Sequence, residues 1–357
     1  MPPIRLLVVD DSVVVRKVIC EALESESTIE VAGTAASGRI ALAKIPQLNP
    51  DVITLDIEMP GLNGIQTLVE IRKLYPKLPV IMFSTLTERG AAITLEALAL
   101  GASDYVTKPS NTSSLSAAKD QVRQELVAKI LCLVPRHVHR VPIPVVPAAK
   151  RSSAGQPIDI VAIGVSTGGP NALAVVIPQL PKDFPVPVVV VQHMPPLFTK
   201  LLAERLASRS ALLVREGQAG KALEPGHAWI APGDYHMTVA RKGTGVVLNL
   251  NQELPENSCR PAVDVLFRSV ADVYGPRVLG VVMTGMGSDG ARGARHIREV
   301  GGEIVVQDEA SSVVWGMPGA VVGAGAADKI CPLSEISQEI VGRVTSSRRG
   351  LTACPQR

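Results

Sequence analysis

Ser166 lies in a glycine-rich turn, GVSTGG at 164–169, that follows the apolar run DIVAIG. The spacing Gly-x-Ser-x-Gly is typical of a nucleophile elbow, a tight strand-to-helix turn that exposes a serine above a sheet. A serine hydroxyl is a poor nucleophile unless a base lies within hydrogen-bond reach. His193 follows the next apolar run, VPVVVVQ, and is the natural candidate for that base.

A third apolar run, RVLGVVMT, leads into the loop GMGSDG at 285–290. Its Asp289 can orient the imidazole of His193 and stabilise the charged form. The backbone N–H groups of Thr167 and of the loop at Met286 are candidate donors to an oxyanion, since the residue after the nucleophile commonly supplies one. The three motifs therefore indicate acyl transfer by a serine, a histidine and an aspartate, without a metal or cofactor.

Each of these residues also has a structural interpretation. Ser166 could cap the helix after it, His193 could lie at the core edge, and Asp289 could cap a helix starting near Ala291. The turn also fits a phosphate loop, Gly-x-Ser-x-x-Gly, but that pattern expects an acid about 20 positions later. The next strand ends in Gln192 and His193 instead. Because the three side chains follow three separate strands, the catalytic interpretation is favoured, although the order Ser, His, Asp differs from that of α/β-hydrolases.

A second group of reactive residues lies in the first third of the chain. Asp10 and Asp11 follow the first apolar run, and Asp56, Ser84 and Lys108 follow later ones. The carboxyl ends of parallel strands share one edge of a sheet. Three carboxylates there repel each other unless a cation neutralises them, and Mg²⁺ suits oxygen ligands. The lysine and the hydroxyl could then hold the oxygens of a phosphoryl group on one of the acids. Any one of these acids alone is more simply a solvated turn residue.

Alternating β-branched runs and helical patterns predict two α/β domains in series. Residues 1–125 carry five βα units, typical of a flavodoxin-like (βα)5 fold, with a last helix from about Ser116. A proline-rich stretch marks a linker, 126–156. Residues 157–350 predict a doubly wound, mostly parallel domain with a β-hairpin around Lys242–Thr244. The uncharged stretch Ala310–Ala327 is interpreted as buried loop and strand because its glycines and proline disfavour a membrane helix.

The amino-acid composition argues against a membrane protein, a nucleic-acid-binding protein and a secreted protein. The chain has 357 residues, 46% of them apolar and 19% charged, which predicts a soluble globular protein that is not inserted in a membrane. A net charge of +3 and 3% aromatic residues give no surface for nucleic acid. The N-terminus lacks a signal-peptide core, and the five scattered cysteines form no CxxC pair. These features favour a cytoplasmic location.

The acidic cluster with Ser84 and Lys108 resembles the receiver domain of two-component response regulators, over roughly residues 1–125. The resemblance implies that Asp56 is the phosphoacceptor and that Tyr105 is a switch aromatic. It also implies that Ser84 and Lys108 contact the phosphoryl group. The implied Mg²⁺ ligands are Asp10, Asp11, Asp56 and the backbone carbonyl of Glu58.

The stretches GVSTGGP, VVVVQHMP, IAPGDYHM, CRPAVDVLF and MTGMGSDGARG resemble the catalytic domain of chemotaxis-specific protein-glutamate methylesterases, over roughly residues 157–350. The resemblance implies hydrolysis of glutamate methyl esters on chemoreceptor helices, with release of methanol, and deamidation of particular receptor glutamines. It implies Ser166 as nucleophile, His193 as base and Asp289 as orienting acid, with Thr167 and Met286 lining the site. A chemotaxis histidine kinase would be the phosphodonor, and the unphosphorylated receiver would inhibit the hydrolase.

Three residues of these motifs stay outside the predicted triad. His236, near the hairpin, is interpreted as structural, and Arg260 and Asp264 as parts of a helix start rather than a substrate lip. Two other functions stay open: a signalling adaptor that binds receptor helices without turnover, and a receiver-controlled nucleotide-binding module. The missing acid after the second strand weakens the nucleotide alternative.

Overall fold

The computed structural model of the protein describes residues 2–108, 115–134 and 156–352. The chain divides into two compact units, Met1–His139 and Arg140–Arg357, and each unit has its own parallel sheet. No helix in the described ranges is long and apolar enough to cross a membrane.

The first unit is a five-stranded parallel sheet in the order β2-β1-β3-β4-β5, which confirms the predicted flavodoxin-like fold. Four of its helices begin at a side-chain cap, Ser12, Ser37, Asn63 or Thr87, that accepts a backbone N–H of the first turn. The strands are β1 (Ile4–Val9), β2 (Ile29–Ala35), β3 (Val52–Asp56), β4 (Val80–Ser84) and β5 (Asp104–Thr107). The helices are α1 (Val13–Leu23), α2 (Gly38–Leu48), α3 (Gly64–Leu74), α4 (Glu88–Ala99) and α5 (Leu115–Leu133).

Helix α5 continues past the expected domain end at residue 125. Its Val122, Leu126 and Ile130 recur every four residues and are buried in the core of the first unit. This stripe keeps the chain helical to Leu133, so residues 126–133 of the expected linker belong to the helix. Residues 135–155 of that linker lie outside the described residues.

In its described residues the second unit has a seven-stranded parallel sheet in the order β14-β13-β12-β6-β7-β9-β8 and a separate antiparallel hairpin of β10 and β11. This arrangement confirms the predicted doubly wound domain with a hairpin. The strands are β6 (Ile160–Val165), β7 (Val188–Gln192), β8 (Leu213–Glu216), β9 (His227–Ile230), β10 (His236–Lys242), β11 (Gly245–Asn251), β12 (Val278–Val282), β13 (Glu303–Gln307) and β14 (Lys329–Cys331). The helices are α6 (Gly169–Val176), α7 (Phe198–Ala207), α8 (Val263–Tyr274), α9 (Ala291–Glu299), α10 (Gly316–Gly323) and α11 (Leu333–Thr352).

The stretch Ala310–Ala327 contains helix α10, where loop and strand were expected. Pro318 lies in the first turn of this helix, where its missing N–H breaks no intrahelical hydrogen bond. Met317 and Val321 are fully buried. Packing of these side chains stabilises a helix that its glycines would disfavour, so residue propensity was misleading here.

Strand β6 lies in the middle of the second sheet, between β12 and β7. The chain runs from β6 to β7 on one side and later from β12 to β13 on the other, so the order reverses at β6. All residues of β6, β7 and β12 are buried, as expected for parallel strands covered on both faces. The loops that follow these three strands therefore meet at the switch point, where doubly wound sheets bind their ligands.

Candidate active site

Ser166 directly follows β6, and hydrogen bonds to its backbone N–H and carbonyl groups fix its position. Its N–H donates to the Thr284 carbonyl at 3.0 Å, and its own carbonyl accepts from Gln192 Nε2 at 3.0 Å. Helix α6 begins after Gly168, which has φ +79° and no side-chain cap, so Ser166 does not cap that helix. In the described ranges the Ser166 hydroxyl makes no hydrogen bond, and the side chain is partly exposed. It is therefore accessible to a substrate.

The loop after β12 packs directly on the serine turn. A Cβ atom at Gly285 would lie 2.9 Å from Ser166 Cβ, so this close approach requires glycine. Thr284 Oγ1 donates to the Thr167 carbonyl at 2.9 Å, and Thr284 N donates to Oε1 of the buried Gln307 at 2.8 Å. Met286, half-buried, is the next residue of this loop. The candidate oxyanion residues Thr167 and Met286 thus belong to two segments that contact each other.

His193 follows β7, whose last residue, Gln192, is paired with Val165 at the end of β6. Its Nε2 lies 2.8 Å from Asp289 Oδ2, and its Nδ1 lies 3.6 Å from Cys259 Sγ. Burial alone would lower the pKa of His193, but the hydrogen bonds with Asp289 and Cys259 raise it to about 9. A raised pKa makes the imidazole a stronger base than that of a free histidine.

Asp289 is buried, and both of its carboxylate oxygens accept hydrogen bonds. Oδ2 accepts from His193 Nε2 and from Val263 N at 2.6 Å. Burial alone would raise the pKa of Asp289, but the hydrogen bonds from His193 and from backbone N–H groups lower it below its usual value. The remaining donors, all to Oδ1, are Asn257 Nδ2 at 2.7 Å and the N–H groups of Asp264 and Gly290 at 3.0 Å.

Two of these donors, Val263 and Asp264, are the first residues of helix α8. Asp289 therefore caps α8 from another part of the chain, while the sequence had suggested a cap for α9. The predicted cap of α9 is therefore wrong, because Asp289 caps α8 instead. The same carboxylate contacts His193, as the orienting role requires.

The structure joins two of the three predicted catalytic residues directly. His193 and Asp289 share a hydrogen bond, whereas no hydrogen bond joins Ser166 and His193 in the described part of the chain. Because Nε2 already contacts Asp289, Nδ1 is the nitrogen left for the serine proton. Nδ1 contacts Cys259 instead. Catalytic hydrogen bonds are often formed only in the substrate complex, so the serine remains a candidate nucleophile.

Sequence reasoning missed Asn257 and Cys259. Glu256 and Cys259 pair across a two-residue turn, in which Asn257 has φ 52° and Ser258 has φ 61°. Two successive positive φ values are typical of a type I′ turn, which favours asparagine. The residue types Asn257-Ser258 could have predicted a turn. Its contacts with His193 and Asp289 could not be predicted, because they depend on tertiary structure.

The other residues of the motifs hold loops together. Asp264 is buried and accepts from Arg292 and from the first turn of α9, so it ties α8 to α9. His236, the first residue of β10, is buried; its Nδ1 accepts from Ala262 N at the start of α8, and its Nε2 contacts the Leu254 carbonyl in the loop after β11. Arg260 forms an ion pair with Asp234 at the loop before the hairpin. These contacts agree with structural roles.

The acidic cluster of the first unit forms at the ends of β1 and β3. Ligand oxygens of Asp10, Asp11 and Asp56 lie within 4.8 Å of one another, and Lys108 Nζ is 2.7 Å from Asp56 Oδ1 and 3.2 Å from an oxygen of Asp10. Burial, with help from Asp10, raises the pKa of Asp56 to about 6 against the effect of Lys108. Asp56 Oδ2 is buried without a hydrogen-bond partner among the described residues. An unpartnered carboxylate oxygen beside two more carboxylates fits Mg²⁺. The N–H of Glu58 donates to Asp56 Oδ1, so its backbone adjoins the cluster.

Ser84 and Tyr105 flank this cluster on the next two strands. The buried Ser84 hydroxyl donates to the Gly90 carbonyl and accepts from Thr94 Oγ1 at 2.6 Å, so it is bonded to α4. Tyr105 is buried, and Lys129 Nζ lies 4.9 Å from its ring centroid. Burial raises the pKa of Tyr105 well above its usual value.

Comparison with known proteins identifies both units. Residues 6–120 match the response regulator receiver domain and residues 161–340 match the CheB methylesterase. A protein-glutamate methylesterase/protein-glutamine glutaminase of Trichodesmium erythraeum is 52% identical over 96% of this chain and all of its own length. The chain belongs to the CheB methylesterase family. Another member, from Nocardioides sp., is 51% identical over 98% of both chains.

A solved structure agrees with this family assignment. The CheB methylesterase catalytic domain of Thermotoga maritima has a TM-score of 0.51 and 43% sequence identity. The match covers 52% of this chain and 97% of that domain. The fold of the second unit is therefore that of the family.

Proposed function

We propose that the protein is a cytoplasmic serine hydrolase that demethylates glutamate methyl esters on chemoreceptor helices and deamidates particular receptor glutamines, under the control of phosphorylation at Asp56. The hydrolase part is carried by the His193–Asp289 hydrogen bond at the strand end next to Ser166. A relative that is 52% identical is named for both activities, which supports the substrate class.

In the proposed reaction Ser166 Oγ attacks the ester carbonyl carbon while His193 Nδ1 takes the hydroxyl proton. Backbone N–H groups at Thr167 and Met286 stabilise the tetrahedral oxyanion. The bond to the methoxy group then breaks, and methanol leaves with the proton from His193. The glutamyl group remains as an ester on Ser166.

Water completes the cycle. His193 takes a proton from a water molecule, whose oxygen attacks the acyl carbon, and Ser166 regains its proton as glutamate is released. A receptor glutamine follows the same route with ammonia as the leaving group. Asp289, ionised and held by its donors, keeps Nε2 in place and stabilises the imidazolium that forms at each step.

The first unit supplies the control in this proposal. Asp56 accepts a phosphoryl group from a chemotaxis histidine kinase, and Lys108 and Ser84 contact its oxygens. The three carboxylates and the Glu58 carbonyl would hold Mg²⁺, which would neutralise charge on the transferred group. We assign the receiver to residues 1–125, with α5 extending it to Leu133, the linker up to residue 156, and the catalytic domain to residues 157–350.

The direct test uses the full-length protein and methylated receptor. Released methanol is measured with and without a small phosphodonor, and we expect turnover that rises when Asp56 is phosphorylated. Acylation of Ser166 by an active-site reagent separates a hydrolase from an adaptor, because a binding module has no activated serine. No methanol and no acylated Ser166 would refute the hydrolase.

We also propose that the unphosphorylated receiver inhibits the hydrolase. Phosphorylation would relieve the inhibition by changing the contacts of Ser84, at the end of the adjacent strand β4, and of Tyr105, on β5 beyond it. The test compares the fragment 157–357 with the unphosphorylated and phosphorylated full-length protein. A fragment faster than the unphosphorylated protein supports inhibition. A fragment as slow as that protein, with phosphorylation still activating the full-length protein, would show that the receiver stimulates instead.

A further inference from the structure

Cys259 and Ser166 compete for the same nitrogen of His193. Nε2 contacts Asp289 at 2.8 Å, and Nδ1, the nitrogen that our mechanism assigns to the serine, lies 3.6 Å from Cys259 Sγ. The arrangement of Cys259, His193 and Asp289 is that of a cysteine activated by a histidine that an acid orients. Nothing in the reaction proposed above uses this thiol.

We infer that Cys259 is a reactive thiol activated by His193, and that its modification by a soft electrophile, such as hydrogen peroxide, switches off the hydrolase. This inference rests on the proposed function only in its second half. The reactivity of Cys259 follows from its contacts alone.

The other cysteines in the described ranges lack such a partner. Burial raises the pKa of the Cys20, Cys132 and Cys331 thiols, and none of the three contacts a histidine among the described residues. Cys259 is partly exposed, so a small reagent can reach it. His193 Nδ1, 3.6 Å from Cys259 Sγ, is placed to accept the thiol proton, and loss of that proton produces the nucleophilic form of the sulfur. Reaction should therefore be selective for Cys259.

Hydrogen peroxide would oxidise the Cys259 thiol in one two-electron step. The thiol proton moves to His193 Nδ1, and the sulfur attacks one peroxide oxygen. An S–O bond forms as the O–O bond breaks, and the departing hydroxide takes the proton from His193 and leaves as water. The sulfur is oxidised to a sulfenic acid and the peroxide is reduced. A thiol reductant restores the cysteine.

Loss of activity follows from the position of the sulfur. An oxygen or alkyl group added to Cys259 Sγ would lie next to His193 Nδ1. It would therefore prevent this nitrogen from accepting the proton of Ser166. The modified residue is also two positions from Asn257, whose amide donates to Asp289. The site is therefore blocked at its base while Ser166 stays chemically intact.

The first test measures reactivity in the full-length protein. The protein is treated with hydrogen peroxide and dimedone, or with iodoacetamide, and each cysteine is followed by peptide mass spectrometry. We expect Cys259 to react about tenfold faster than Cys20, Cys132 or Cys331, and to lose this advantage in His193→Gln. Equal rates at Cys259 in the wild type and in His193→Gln would overturn the inference.

The second test links modification to turnover. With hydrogen peroxide alone, wild-type methanol release should fall in parallel with oxidation of Cys259 and return after dithiothreitol reduces the sulfenic acid. Cys259→Ala and Cys259→Ser should hydrolyse the ester and resist peroxide, and the matched control Cys132→Ala should stay sensitive. Full activity of protein modified at Cys259 would overturn the switch.

Two outcomes separate this inference from the proposed function. Selective labelling of Cys259 in a protein that releases no methanol would refute the hydrolase and leave the reactive thiol standing. An active Ser166→Ala together with an inactive Cys259→Ser would overturn both the switch and the serine assignment, because Cys259 would then be the nucleophile.

Discussion

Asp56 and Asp289 both lie where parallel strands end, and both are buried, with 1% and 2% of their surface exposed. Asp289 accepts five hydrogen bonds on its two oxygens, whereas Asp56 has one oxygen without any partner among the described residues. The pKa of Asp289 is lowered, and that of Asp56 is raised to about 6. Burial raises the pKa at both sites, but the hydrogen bond and charge of His193 with the backbone donors outweigh it at Asp289, whereas at Asp56 the neighbouring Asp10 carboxylate acts with burial against Lys108.

The difference corresponds to two kinds of chemistry. A carboxylate with every lone pair engaged is rigid and stays ionised, which suits a residue that holds an imidazole. A carboxylate with an open oxygen beside other acids has capacity for a cation or a phosphoryl group. Substitutions at the two edges should therefore fail in different ways.

The largest effect on turnover is expected at Ser166, which Asp289 influences only through His193. Ser166→Ala should lower ester hydrolysis by about 10⁶-fold, since loss of the nucleophile in a serine triad has an effect of that size. Its stability should change little, because the hydroxyl makes no hydrogen bond in the described ranges. Methanol release and thermal unfolding are the two measurements. Turnover within tenfold of wild type would refute the nucleophile assignment.

Asp289→Asn should lower turnover by about 10⁴-fold, because the amide no longer holds His193 in its working tautomer. Unlike Ser166→Ala it should also destabilise the protein, by about 1–2 kcal/mol, since α8 loses a charged cap. Asp272→Asn is the matched control. It removes a second aspartate bonded to a histidine, His296, at 2.7 Å, but on the surface. If Asp289→Asn changed KM alone, Asp289 would be a substrate contact.

In the first unit, the carboxylate cluster of Asp10, Asp11 and Asp56 predicts that Mg²⁺ raises the free energy of unfolding. Mg²⁺ at about 100 times its Kd should stabilise the first unit by about 2.7 kcal/mol. The double change of Asp10 and Asp11 to Asn should abolish this stabilisation, and Asp56→Asn should take up no phosphoryl label. Glu70→Gln, on the exposed face of α3, is the charge control. The measurement is the melting temperature with and without Mg²⁺. If Mg²⁺ raised the melting temperature of the double variant as much as that of the wild type, the metal site would be contradicted.

The smallest expected effect is on the pH profile. Only neutral His193 can take the serine proton, and its pKa is raised to about 9. Values of kcat/KM should therefore increase about tenfold per pH unit below that value. Cys259→Ala removes one of the groups that raise this pKa, so its profile should shift to lower pH. A profile that does not move would show that Cys259 leaves His193 before the proton transfer.

Residues that directly follow apolar strands were predictable from the sequence. Ser166, His193 and Asp56 each come after such a run, and parallel topology brings the strand ends together without further information. Ser12, Ser37 and Thr87 each precede a helix of the first unit and cap it, which is a local pattern of the same kind, although they were not predicted as caps.

What the sequence did not predict depends on long-range contacts. Cys259 is 66 positions from His193, and Asn257 is 32 positions from Asp289. No local pattern specifies which strand end a two-residue turn will touch. The helix that Asp289 caps was assigned wrongly for the same reason, because neighbours in sequence suggested α9 and the fold supplied α8.

The cap that Asp289 forms on α8 has an evolutionary consequence. A lineage that no longer needs hydrolysis would still be selected to keep Asp289, because its loss leaves N–H groups of a buried helix end unsatisfied. Ser166 has no such protection, since its hydroxyl has no hydrogen bond to lose within the described ranges. In a survey of degenerate relatives, the serine should therefore disappear first, and a retained aspartate would say little about surviving activity.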